Sequence, residues 1–104
     1  MSKRREASDS ETILEDDLEV EEPSLYRVLL LNDDYTHQQF VVAILQGIFR
    51  KSLQEAERIM LTVHYKGQAV CGIYPKQIAE AKMEIVHRRA RSEGFPLRCV
   101  IEEN

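Results

Sequence analysis

The chain has 104 residues, 43% of them hydrophobic and 31% charged, with a formal net charge of -4: material for one soluble domain with a modest core. The charge is uneven, since residues 1 to 24 hold nine acidic and three basic residues (a balance of -6) and the remainder nine and eleven (+2). No apolar run approaches the ~18 residues of a membrane span, and acidic residues follow Met1-Ser2-Lys3-Arg4-Arg5 where a secretory signal would be apolar, so a cytoplasmic protein with no membrane partner is expected.

Residues 1 to 24 carry few large apolar side chains and no periodic face, so burial cannot offset the entropy of ordering them. A disordered acidic extension is expected there, with Pro23 at its boundary and a folded domain over 25–104. Tyr26 to Leu31, apolar except for Arg27, predicts a buried strand. Asn32-Asp33-Asp34 stops it. Thr36 and Gln39 have capping-box spacing, and Tyr35 and Phe40 that of a hydrophobic staple, so a helix is expected from Thr36. Phe40, Val41, Ile44, Leu45, Ile48 and Phe49 continue it as an apolar stripe.

Ser52-Leu53-Gln54-Glu55 is a second capping box. Leu53, Ala56, Ile59, Met60 and Val63 carry a second helix to about His64, with Lys66-Gly67 as its stop. Gln68 to Tyr74 alternates as a strand, with Ala69, Cys71 and Ile73 on one face and Val70 and Tyr74 on the other around Gly72. Pro75 suits a first helical turn, and Ile78, Ala79, Met83, Val86 and Ala90 repeat at helical spacing up to Gly94 and Pro96. Leu97, Cys99 and Ile101 then alternate with Arg98, Val100 and Glu102 as a last strand. The order βααβαβ predicts an α+β fold with helices over one face of a small sheet. Cys71 and Cys99, in apolar surroundings without metal-ligand spacing, read as buried, reduced thiols.

Asn32, Asp33 and Asp34 are short polar side chains held between two rigid elements, a place for recognition or simply a turn. Met60 and His64 lie four apart on one helical face, with Val63 adjoining. If the two stretches meet, they form a cup with an apolar floor and a rim of acceptors. Its natural guest is a cation with an apolar arm, because an ammonium donates three hydrogen bonds and suits an amide oxygen, a carboxylate and a neutral imidazole. Taken alone, His64 could equally cap its own helix end.

The succession Leu31-Asn32-Asp33-Asp34-Tyr35-Thr36, Phe40-Val41, Met60-Leu61-x-Val63-His64, Gly67, Val70-Cys71-Gly72, Ala79-Glu80-x-Lys82 and Pro96-Leu97 resembles the ClpS family, bacterial adaptors that hand N-end-rule substrates to the ClpAP protease. The resemblance covers about residues 25 to 103. It implies three helices on a three-stranded antiparallel sheet, similar to the C-terminal domain of the bacterial ribosomal stalk protein, and a pocket for the free first residue of an N-degron peptide or protein. The α-amino group would be held by Asn32, Asp33 and His64. A bulky side chain, Leu, Phe, Tyr or Trp, would enter an apolar pocket at Thr36, Val41, Met60, Val63 and Leu97.

Two positions depart from the family. Gln38 stands where a methionine commonly gates the pocket against β-branched first residues, and Gln77 stands for a glutamate. The surface for the N-terminal domain of a ClpA-type unfoldase then falls on Tyr35, Gln77 and Lys82. The resemblance also implies that the N-terminal extension is engaged by the unfoldase during delivery. It implies a monomer without catalytic residues, cofactor, metal or nucleic acid.

Two alternatives stay open on the residues themselves. Asp33, Asp34 and His64 could ligate a divalent ion in a small metal-dependent enzyme, and Lys82, Arg88, Arg89 and Arg91 could form a basic helix face for nucleic acid. Against them stand the lack of a nucleophile constellation, phosphate loop or spaced metal motif, and a domain balance of only +2.

Overall fold

β1 (Leu25–Leu31) is the central strand of an antiparallel sheet ordered β2-β1-β3, as its nearly unbroken apolar sequence demands. The structure, a computed structural model, describes residues 23–104, so the expected acidic extension lies outside the described residues except for Pro23 and Ser24. After β1 come α1 (Gln38–Gly47), α2 (Leu53–Lys66), β2 (Gln68–Pro75), α3 (Lys76–Glu93) and β3 (Arg98–Glu103). This is the expected βααβαβ order.

The helices cover one face of the sheet. Val28 and Leu30 of β1, Cys71 of β2 and Cys99 of β3 join Ile44, Leu45, Ala56, Ile59, Val86 and Ala90 from the three helices in one cluster. No polar or charged residue is fully buried among the described residues, so the side-chain core is held chiefly by apolar burial. Both thiols are free and buried, and burial pushes each up to about 12. On the opposite face Arg27 and Glu102, paired in register, form an ion pair of 2.8 Å.

β2 departs from strict alternation. Val28 pairs with Gly72 but Leu29 with Val70, leaving Cys71 as the extra residue of a β-bulge. Beyond it the faces exchange. Ala69, Cys71 and Tyr74 pack on the core, whereas Val70 (39% exposed) and Ile73 (47%) face outward. The expected grouping of Ile73 with Cys71, and of Tyr74 with Val70, is therefore corrected by the bulge, which period-two reading cannot register.

The first expected cap is also not formed. His37, not Thr36, is the N-cap of α1, and no side chain caps it. The Thr36 hydroxyl donates instead to Asp33, Tyr35 is 75% exposed, and Phe40 stacks on Phe95 rather than on Tyr35. The second box is half made: Ser52 Oγ accepts from the Glu55 N–H at 3.1 Å, while the Glu55 carboxylate pairs with Arg58 instead of reaching back.

Lys82 turns inward from α3. Its Nζ donates to the Ile48 carbonyl at 2.9 Å and lies over the rings of Phe49 and Tyr74, at 5.8 and 5.2 Å from their centroids. The ammonium thus ends α1 by taking up a carbonyl that the helix leaves unpaired.

Candidate functional site

Chain connectivity brings the polar shelf to the exit of α2. Gly67, at φ +92°, caps α2 by donating its N–H to the Val63 carbonyl, and its own carbonyl accepts from the Asn32 N–H at 2.9 Å. The bond continues the β1–β2 ladder one step past the Leu31–Gln68 pair. Residues more than thirty positions apart in sequence are held side by side.

Between them lies a cavity of about 230 Å³. Asn32, Asp33, Asp34 and Thr36 line it from the shelf, Gln38 and Val41 from α1, and Met60, Val63 and His64 from α2. Val41 and Val63 are buried and Met60 half-buried, which makes the floor apolar, while Asn32 and His64 stand exposed at the rim. Such a volume suits one amino-acid side chain better than a larger ligand.

Asp33 organises the rim. Its Oδ1 accepts from the N–H groups of Tyr35 (2.8 Å) and Thr36 (2.7 Å), and its Oδ2 from the Thr36 hydroxyl (2.8 Å). Partial burial acts to raise its pKa, but the hydrogen bonds from Thr36 and Tyr35 outweigh it and hold the carboxyl below its ordinary value. The side chain is therefore charged and fixed, with three of its roughly four acceptor sites filled. One remains for a ligand.

The electrostatics favour a cation. Two carboxylates line the cavity and no lysine or arginine does. Met60, Val63 and His64 also belong to the last turns of α2, where the helix dipole is negative. An ammonium lying against an apolar side chain matches both halves of this site.

Of the positions expected from the sequence, Asn32, Asp33, His64, Thr36, Gln38, Val41, Met60 and Val63 all line the cavity. Leu97 does not: it is buried in the core, away from the lining. Asp34 lines the cavity as part of the expected Asn-Asp-Asp shelf, although the resemblance gives it no part in holding the amine. Among the expected unfoldase contacts, Tyr35 and Gln77 are exposed, whereas Lys82 is committed to Ile48. Arg88, Arg89 and Arg91 remain exposed on α3. Among the described residues no group of three or more His, Cys, Asp or Glu side chains is placed to hold a metal ion, and no helix is long and apolar enough to cross a membrane.

Residues 21–100 match the family described as "ATP-dependent Clp protease adaptor protein ClpS". An ATP-dependent Clp protease adapter protein ClpS of Nitratidesulfovibrio vulgaris is 56% identical over 95 residues, covering 91% of this chain and 93% of its own. Its counterpart in Desulfotalea psychrophila is 52% identical over 103 residues, with 99% of each chain covered. Among solved structures, Agrobacterium tumefaciens ClpS2 bound to L-phenylalaninamide superposes with a TM-score of 0.78 at 40% identity, over 80% of this chain and 100% of that one.

Proposed function

Because the chain belongs to the ClpS family of Clp protease adaptors, and is an adaptor and not an enzyme, we propose that it captures the free first residue of N-end-rule substrates and delivers them to a ClpA-type unfoldase. The observation that carries this reading is the cavity itself, an apolar floor under polar groups that include two carboxylates, two amides and an imidazole, with no lysine or arginine. The relative bound to L-phenylalaninamide supports it, since an amino-acid amide presents the free amine and side chain of a chain's first residue.

The α-amino group sits among Asn32, Asp33 and His64, and the side chain on Val41, Met60 and Val63. Burying a Leu or Phe side chain contributes roughly 1.5–3 kcal/mol. Each hydrogen bond from the ammonium adds roughly 1.5–3 kcal/mol before ordering costs. Neither half alone gives selectivity. Acetylation removes the charge and leaves rim acceptors unpaired, so blocked and internal residues are rejected by a penalty as well as by lost attraction. The adaptor works as a cytoplasmic monomer, presenting Tyr35 and Gln77 to the unfoldase.

Fluorescence anisotropy of a labelled peptide beginning with Phe, of its acetylated form, and of both against His64→Ala tests the reading. The free peptide binds, the acetylated one does not, and His64→Ala weakens binding roughly tenfold or more, the worth of one charged hydrogen bond. Equal binding of free and acetylated peptides would refute it.

A further inference from the structure

The cavity is not the only concavity at this end of the molecule. A groove of about 380 Å³ runs between α1 and α2 on their outer side, floored by Val42, Leu53 and Leu61. Leu53 is 54% exposed and Leu61 45%, large apolar side chains that no part of the described chain covers. Glu57 is the one charged group in its lining. The groove and the cavity share a wall, because Gln38 and Met60 line both.

A polypeptide held by its first residue must leave the cavity, and the shared wall marks the short way out. In an extended chain, side chains alternate and residues one and three point to the same side, roughly 6.6 Å apart. A first side chain directed into the cavity therefore directs the third toward the same protein surface, at a reach that clears one side-chain wall. The second points away.

Resting on the amino-terminal reading of the cavity, we infer that this groove is a second subsite for the same substrate and takes the side chain of its third residue. Leu53, Leu61 and Val42 suit an apolar side chain or the aliphatic stem of Lys or Arg, whose charged end meets Glu57. An Asp or Glu at the third position faces that carboxylate and is disfavoured. First-residue recognition thus extends to a preference further along the chain.

Anisotropy on the full chain tests this with peptides of otherwise identical sequence beginning Phe-Ala-Leu, Phe-Ala-Arg, Phe-Ala-Asp and Phe-Leu-Ala, and with L-phenylalaninamide as a competitor that lacks a third residue. Leu or Arg at position three binds about fivefold tighter than Asp, the ratio expected for one half-buried side chain. Leu gives no such gain at position two. Leu61→Ser removes the Leu advantage, Glu57→Lys reverses the order of Arg and Asp, and both leave L-phenylalaninamide competition unchanged. Equal affinity for all third residues, or an order unaltered in both variants, overturns the subsite while the cavity reading stands. Failure of L-phenylalaninamide to compete at all refutes the cavity reading and the subsite with it.

Discussion

The N–H of Asn32 donates to the carbonyl of Gly67 at 2.9 Å, and this one backbone bond joins the two halves of the site. Asn32 opens the polar shelf and Gly67 closes α2, three residues after His64. The amide rim and the imidazole are thus positioned by main chain, which does not depend on side-chain rotamers.

Gly67 holds a left-handed φ of +92° that a side chain resists. A Cβ there meets nothing within 4 Å, so the cost of Gly67→Ala is backbone strain alone. It should lower stability by about 1–2 kcal/mol and weaken binding of Phe-initiated peptides. Thermal unfolding and anisotropy check both, and Gly67→Asn should recover part of the loss, since Asn tolerates this region better than Ala.

Asp33 links pH to stability. Its carboxyl titrates lower in the folded state than the ordinary value of about 3.9. The stabilisation is therefore present above that value and lost as pH falls through the folded one. Asp33→Asn has no such dependence. Urea midpoints should differ between the two proteins near neutral pH and draw together as pH falls below the ordinary carboxylate range.

Lys82 is predicted to be structural first. Lys82→Met keeps the stem and removes the donor to Ile48, and should cost about 1–2 kcal/mol in denaturant unfolding. Competition by L-phenylalaninamide should be unaffected. An unchanged unfolding curve with lost unfoldase binding would instead make Lys82 a direct contact.

Deleting residues 1–24 separates binding from delivery. Peptide affinity should be unchanged, because every cavity residue lies beyond the cut. Degradation of a Phe-initiated reporter by the Clp protease should stop. A truncated adaptor that still delivers would remove the extension from the pathway.

Element order and core were legible because the signals were long and redundant: Phe40 to Phe49 and Leu53 to Val63 each repeat an apolar stripe over several turns, and Gly67 and Gly94 end helices as left-handed caps. The cavity was legible because spacing put Met60, Val63 and His64 together at the end of α2. What escaped were choices among equivalent partners. Thr36 had two uses, helix cap or partner of Asp33, and a carboxylate three residues away accepts its hydroxyl and its N–H together. Lys82 read as one more surface cation because nothing local announces a carbonyl 34 residues away. Leu97 lies beyond the lining for a similar reason, its packing being decided by how β3 enters the sheet.

The bulge at Cys71 sets eight residues of β2 against seven of β1. Loss of a single codon there would leave the composition of the strand almost intact. It would also restore simple alternation with Val28 still opposite Gly72 and Leu29 opposite Val70, leaving Ile73 facing outward and Tyr74 beside Phe49 and Lys82. The spare residue thus lets a strand whose letters alternate one way set its side chains another: the extra count at Cys71, not the alternation of apolar letters, decides that the helices meet Tyr74 and not Ile73.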